Sequence, residues 1–234
     1  YYNTEIYDSL DGICHAAVKS FMNIFDGSNI SIVVPGGNTP RNLFRFLAQS
    51  EIDWSNICLI LSDERMVPMN HQSSNYGMIK EILLKKLMKE NKPLVIPDME
   101  YFMETSSKEF LDKTNSLLKD KLPIKHAFLG IGSDGHTASL FLGNEMGLIN
   151  DEPYFYTQKK GDPYQRITLS MKFLQSIPHI TFLVSGKKKY GPLKEIFKGH
   201  LSKNKSPAHQ LIDQSNGKIT FFCDKAALKG EVFD

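Results

Sequence analysis

Apolar residues along this chain fall into short β-branched runs separated by longer stretches with helical spacing. Ile30 to Val34, Ile57 to Leu61, Ala127 to Ile131, Ile180 to Val184 and Ile219 to Cys223 are near-continuous apolar runs. Such runs suit strands buried on both faces. Arg166 to Leu169 reads as a shorter strand, and Pro93 to Pro97 as a short extended piece. Between them, Ile6 to Phe25 carries Ile13, Ala16, Ala17, Phe21 and Ile24 at a helical period. Leu43, Phe44 and Leu47 form a second helical face, and Tyr76, Ile79, Leu83 and Leu87 a third, capped by Ser74 or Asn75. Ser106 to Leu122 is a further amphipathic helix with Phe110, Leu111, Leu117 and Leu118 inward. Lys187 to Phe197 is helical, kinked or started at Gly191-Pro192, and a short helix follows Asp224. Glu145 to Pro163 is polar and irregular and reads as a surface excursion. Strands alternating with helices predict βαβ units, hence an α/β fold with a mainly parallel sheet flanked by helices on both faces. With no internal repeat and no low-complexity linker, residues 1–234 read as a single domain.

The breaks after the strands hold the candidate chemistry. Pro35-Gly36-Gly37-Asn38-Thr39-Pro40 ends one strand, with Thr39 as expected N-cap and Pro40 at the first helical position. Glycines let an anion approach the main chain, and a helix amino terminus favours it. The same span would also serve as a plain strand-to-helix turn. It is neither a Walker loop nor a dinucleotide fingerprint, because G-K-[ST] and the G-x-G-x-x-G spacing are both missing. Arg65 closes Asp63-Glu64-Arg65 at the end of the next strand. Its guanidinium could fork onto phosphate or pair with its own acidic neighbours. Arg166 and Lys189 are further cations near strand ends.

Gly130-Ile131-Gly132-Ser133-Asp134-Gly135-His136 follows a third strand, and Thr137 to Phe141 is expected to open a helix. A strand that ends in glycines, displays an Asp and a His and enters a helix is where open α/β sheets bind ligands. An imidazole titrates near neutrality and can take a proton from water. Asp134 stands two residues earlier and could orient it. No Ser or Cys elbow accompanies the pair, so the residues favour a base acting on water over a covalent nucleophile. The remaining histidines, at 15, 71, 126, 179, 200 and 209, read as structural or surface residues.

Composition narrows the function classes. Of 234 residues, 41% are hydrophobic and 23% charged, the balance of an ordinary globular protein. The formal net charge of +2 and the absence of a long Lys/Arg block argue against a nucleic-acid partner. No apolar run reaches membrane-spanning length, and no signal peptide is visible. Cys14, Cys58 and Cys223 are widely spaced, with no C-x-x-C and no His pair at metal-ligand spacing, which predicts a reduced, cytoplasmic chain without structural zinc. The sequence opens at Tyr1 without a Met, so it reads as trimmed or as a piece of a longer polypeptide.

Taken together, these motifs resemble 6-phosphogluconolactonase, within the glucosamine-6-phosphate isomerase superfamily. P-G-G-N-T-P at 35–40, S-D-E-R-M-V-P at 62–68 with Ser74-Asn75, and G-I-G-S-D-G-H-T-A-S-L-F at 130–141 carry the likeness. Arg166-Ile167-Thr168-Leu169, Val184-Ser185-Gly186 with Lys189, Ser206-Pro207-Ala208 and Asp224-Lys225-Ala226-Ala227 continue it in the family's order. Leu142 stands where the family usually has Pro, and Pro35 and Asn38 depart from its usual S-G-G-S-T-P.

The resemblance implies a Rossmann-like sheet between helices and hydrolysis of 6-phosphoglucono-1,5-lactone in the oxidative pentose phosphate pathway, with no metal or other cofactor. It assigns the base to His136, with Asp134 and Arg65 beside it, and phosphate contacts to Gly36, Gly37, Asn38, Thr39, Arg65, Arg166 and Lys189. The implied partner is a small phosphorylated sugar lactone. Fusion to, or association with, glucose-6-phosphate dehydrogenase occurs in some members and stays open here. Two rivals share the fold. In the isomerase-deaminase branch a Glu stands five residues after the D-G-H histidine, where this chain has Phe141, and the Arg after D-E is usually missing. A non-catalytic sugar-phosphate sensor would keep Gly36, Gly37 and the cations but could lose the base.

Overall fold

The computed structural model describes residues 2–143, 149–198 and 205–231. Its centre is a seven-stranded sheet in the order β1-β10-β9-β6-β2-β3-β5, with every neighbouring pair parallel. These strands are β1 (Tyr2–Tyr7), β2 (Ile30–Val34), β3 (Ile57–Leu61), β5 (Leu94–Ile96), β6 (His126–Leu129), β9 (His179–Val184) and β10 (Lys218–Asp224). Every residue of β2 and β3 is buried, which explains why they read as near-continuous apolar runs rather than alternating ones. The helices α1 (Leu10–Ile24), α2 (Asn38–Leu47), α3 (Asn75–Ile82), α4 (Met99–Phe102) and α5 (Ser107–Lys119) precede β6. After β8 come α6 (Met171–Gln175), α7 (Tyr190–Lys198), α8 (Pro207–Gln214) and α9 (Lys225–Leu228).

Local chemistry accounts for the helix limits. Ser9, Ser74 and Ser106 each accept a backbone N–H of the first turn of α1, α3 and α5. Ile13, Ala17 and Phe21 form the buried stripe of α1. Truncating Phe21, fully buried, to Ala would cost about 3 to 5 kcal/mol.

Several expectations need correction. The first helix does not begin at Ile6, because Tyr2–Tyr7 is an edge strand laid along β10. Helix α2 starts at Asn38, with Gly37 rather than Thr39 at the N-cap: Gly37 adopts φ 102, a geometry that favours glycine. Thr137 to Phe141 is not helical. Ala138 takes the left-handed φ of 49, and Thr137 bridges Leu140 across a tight turn. The excursion expected over Glu145 to Pro163 contains strand β7 (Tyr154–Gln158); residues 144–148 lie outside the described residues. At Lys187 the chain makes a 3-10 turn, and α7 begins at Tyr190, so Gly191-Pro192 falls in its first turn.

A second, antiparallel sheet was not expected. It has the order β4-β8-β7, with β4 at Asp63–Arg65 and β8 at Gln165–Leu169. Ser62 is the hand-over point: its N–H donates to Val34 in the parallel sheet, and its carbonyl accepts Leu169 N–H from the small one. Asn115 of α5 clasps the backbone of Tyr154 through both its amide groups, at 2.7 and 3.0 Å, fixing β7 to the main body.

Candidate active site

The strand order creates a switch point. From β2 the chain moves outward to β3 and β5, then returns to lay β6 on the other side of β2. The crevice beyond the carboxyl ends of β2 and β6 is where a sheet of this kind exposes backbone to a ligand. A cavity of about 440 Å³ lies there. Its walls are Gly36, Gly37 and Thr39 after β2, Asp63 and Arg65 after β3, Gly130 to Ser133 and His136 after β6, Arg166 of β8, and Ser185 and Lys189 after β9.

The β6 loop builds the acid–base pair. Gly132 N–H donates to the His136 carbonyl at 2.7 Å, and Gly135 N–H to that of Gly132 at 3.1 Å, folding the loop back on itself. This brings the His136 ring, 28% exposed, beside Asp134, whose Oδ1 bonds Nδ1. With Nδ1–H donated to the carboxylate, Nε2 is the acceptor of the neutral ring. A Cβ on residue 132 would stand 2.1 Å from that Nδ1, so only glycine leaves room for the imidazole. Partial burial pushes the Asp134 carboxyl upward. Hydrogen bonds from Lys159 and His136 outweigh it and hold the group well below the usual carboxylate range.

The cations come from the small sheet and from the turn after β9. Arg65 and Arg166 are direct partners across the β4–β8 ladder. Like charges so placed repel, unless anions stand between or beside them. Asp162 holds Arg166 through Nη2 at 2.5 Å, and Asp63 Oδ2 lies 3.8 Å from Nη1. Arg65 spends Nη1 on the Ser73 carbonyl at 2.8 Å. Among the described residues, Arg65 Nε and Arg166 Nε are buried donors without a partner. A buried donor without an acceptor is costly. Lys189 donates to the Ile131 carbonyl at 2.6 Å, and burial pulls its ammonium below the ordinary lysine value against the opposing charge of Asp134. Asp224 accepts Ser185 Oγ at 2.5 Å and Gly186 N–H at 3.0 Å, which shapes the turn carrying Lys189.

The acidic residues before Arg65 are occupied elsewhere, so the self-paired reading of D-E-R does not hold. Asp63 accepts Ser139 Oγ at 2.6 Å and Ser62 Oγ at 3.2 Å. Glu64 is fully buried and accepts the N–H groups of Arg65, Asn75 and Tyr76 and the hydroxyl of Ser74, at 2.5 to 3.1 Å. Burial pushes its carboxyl up to about 7, against the pull of those backbone donors. The Gly36-Gly37 loop abuts the start of α2, which has no side-chain cap. A Cβ on Gly36 would overlap the Asn75 amide at 2.0 Å, and that amide is held by the Asp63 carbonyl at 2.8 Å. A smaller polar recess of about 340 Å³ adjoins, shared by Gly37, Arg65 and Arg41.

Of the sequence-predicted residues, Gly36, Gly37, Thr39, Arg65, His136, Arg166 and Lys189 thus line one cavity, and Asp134 joins them through its bond to the His136 ring. For Asn38 the backbone stands at the first position of α2. Sequence reasoning missed Lys159 and Asp162, took Asn75 only as a possible cap and part of a motif, and treated Asp63 only as a partner for Arg65. A hairpin signal was present in the aromatic run Tyr154 to Tyr156, the turn residues Gly161-Asp162-Pro163 and the run Arg166 to Leu169. Among the described residues no three His, Cys, Asp or Glu side chains converge to hold a metal ion, and no helix is long and apolar enough to cross a membrane.

Comparison with known proteins agrees with this geometry. Residues 8–221 match the family described as glucosamine-6-phosphate isomerases/6-phosphogluconolactonase. The 6-phosphogluconolactonase of Haemophilus influenzae is 32% identical over 207 residues, 86% of this chain and 87% of that protein. That of Thermotoga maritima is 32% identical over 173 residues, 72% of this chain and 75% of that protein. The crystal structure of the Thermotoga maritima 6-phosphogluconolactonase superposes with a TM-score of 0.79 at 26% identity, covering 96% of this chain and all of the other. The chain belongs to the glucosamine-6-phosphate isomerase/6-phosphogluconolactonase family.

Proposed function

We propose that this protein is a 6-phosphogluconolactonase: it hydrolyses 6-phosphoglucono-1,5-lactone to 6-phosphogluconate, in the oxidative pentose phosphate pathway, with His136 as general base. The observation that carries this reading is that His136, bonded to Asp134, opens into the same cavity as the glycine loop and the two arginines. In this reading the phosphate lies on Gly36, Gly37, Asn38 and Thr39 at the amino end of α2 and is clamped by Arg65 and Arg166. Lys189, bonded to the carbonyl beside Gly132, faces the lactone carbonyl oxygen.

His136 Nε2 takes a proton from water as the water oxygen attacks C1. The carbonyl electrons move to oxygen, and Lys189 offsets that charge. When the carbonyl re-forms, the bond from C1 to the ring oxygen breaks. The imidazolium returns its proton to that oxygen, leaving a carboxylic acid that ionises and a free hydroxyl. Asp134 keeps the ring oriented throughout. Three buried free thiols suit a reducing compartment such as the cytoplasm.

The test is lactone consumption measured above its spontaneous hydrolysis, with ammonia release from glucosamine-6-phosphate followed in parallel. Enzyme-dependent lactone loss without ammonia is expected. Ammonia release would move the chain to the deaminase branch, and tight binding of 6-phosphogluconate without turnover would make it a sensor.

A further inference from the structure

One charged contact at the dyad has no part in the scheme above. Lys159, at the turn between β7 and β8, places Nζ 2.7 Å from Asp134 Oδ2. Asp134 therefore stands between two partners: Oδ1 on the His136 ring and Oδ2 on this ammonium. Lys159 is not part of the cavity wall, so any effect on chemistry passes through the carboxylate.

The turn that carries it is pinned on several sides. Asp162 grips Arg166, and its carbonyl accepts Gln158 Nε2 at 3.1 Å. The ring of Tyr164 packs edge-on against His71 at 5.4 Å. Phe141 lies below: its ring is 5.1 Å from the His136 ring, 5.3 Å from Lys159 Nζ and 5.6 Å from the Arg166 guanidinium. The ammonium is thus held over an aromatic face and beside a carboxylate, a more restricted setting than a free surface lysine has.

We infer that Lys159 is a positioning residue of this site: it fixes the rotamer of Asp134 and offsets its charge, so that the carboxylate orients His136 without holding it protonated at neutral pH. This rests on the hydrolytic reading given above. The physical reason is a balance. A bare carboxylate against an imidazole favours the imidazolium, which cannot accept a proton from water. A cation on the carboxylate's other oxygen weakens that preference while leaving the hydrogen bond to Nδ1 in place. Among the described residues, the other charged groups around the cavity are Lys189 from the turn after β9, and Arg166, Arg65 and Asp63. From α8, uncharged Ser206 packs on Gly135, and Ala208 N–H donates to its carbonyl at 3.0 Å.

The test compares Lys159→Met, Lys159→Arg and, as a control on the same turn, Lys160→Met. Two readouts are taken: the acid limb of kcat/KM for the lactone, and the His136 imidazole titration by NMR, assigned against His136→Gln. In Lys159→Met both midpoints are expected to rise by about half a pH unit or more. Lys159→Arg should restore them, and Lys160→Met should leave them unmoved. Equal midpoints in Lys159→Met and wild type, or an equal shift in Lys160→Met, overturn the assignment. If the wild type shows no lactone hydrolysis, the hydrolytic reading falls and takes the catalytic meaning of Lys159 with it. An active wild type with an unmoved imidazole removes Lys159 alone.

Discussion

Adding one methyl group at residue 132 should disable the site while leaving the fold intact. In Gly132→Ala the new Cβ would lie 2.1 Å from His136 Nδ1, 2.2 Å from its Cε1 and 2.7 Å from Asp134 Oδ1. Ordinary contact between such atoms needs about 3.5 Å, so the ring must retreat by more than about 1 Å. A displacement of that size costs roughly 100-fold in turnover when it separates a base from its substrate. Removing the base outright, in His136→Ala, should cost about 100- to 10,000-fold. The backbone itself should tolerate the change, because Gly132 is not among the residues with positive φ. The assay is background-corrected lactone hydrolysis for wild type, each single variant and the double variant, with urea unfolding on all four. In the double variant the methyl meets no ring, so Gly132→Ala should add almost nothing to the loss from His136→Ala. Turnover of Gly132→Ala within about threefold of wild type would refute the reasoning, as would a full additional loss in the double variant.

Three further outcomes are expected. Arg65→Ala should raise KM for the lactone by about 10- to 100-fold with kcat little changed, since it removes charge-assisted bonds to the phosphate; an unchanged KM would exclude that role. Glu64→Ala strands the Arg65 N–H in β4, and two N–H groups and the Ser74 hydroxyl at the start of α3, so urea unfolding should show a loss of at least about 3 kcal/mol, and a loss below about 1 would mean water replaces the carboxylate. His126 is buried against His179 and Thr181, and burial, then the nearby His179, pulls its imidazole down to about 4 from the ordinary 6.5. The stability it contributes is fully present above pH 6.5 and is lost as pH falls through 4, a total of roughly 3 kcal/mol. The difference in unfolding free energy between pH 7.5 and 4 should therefore shrink in His126→Gln; parallel profiles for the two proteins would count against it.

The parallel sheet is legible because burial on both faces leaves β2 and β3 almost wholly apolar, with Ser31 the one hydroxyl among them. Strand β1 is not: at the sheet edge its Asn3, Thr4 and Glu5 face or border solvent, and nothing apolar marks them. The β7–β8 hairpin was hidden by its polar turn, and with it Lys159 and Asp162. The three cavity loops could be read from their glycines and charges, since each follows an obvious strand. The turn after His136 could not. Ala138 is held left-handed by distant partners: Thr137 Oγ1 on the Gly130 carbonyl, Ser139 N–H on Thr168 and Ser139 Oγ on Asp63. A propensity argument sees only neighbours in sequence, and here the deciding bonds come from two other strands.

Two helix beginnings, those of α2 and α3, point toward the arginine side of the crevice, and they differ in what meets them. At α3 the chain supplies its own acceptor, since the Glu64 carboxyl group takes the N–H groups of Asn75 and Tyr76. At α2 the N-cap is Gly37, which supplies no side-chain cap. The protein has thus plugged one positive pole with an internal tenant and left the other to visitors. Under the proposed reading, a phosphate would meet the amino end of α2, while buried Glu64 keeps the amino end of α3 closed to it.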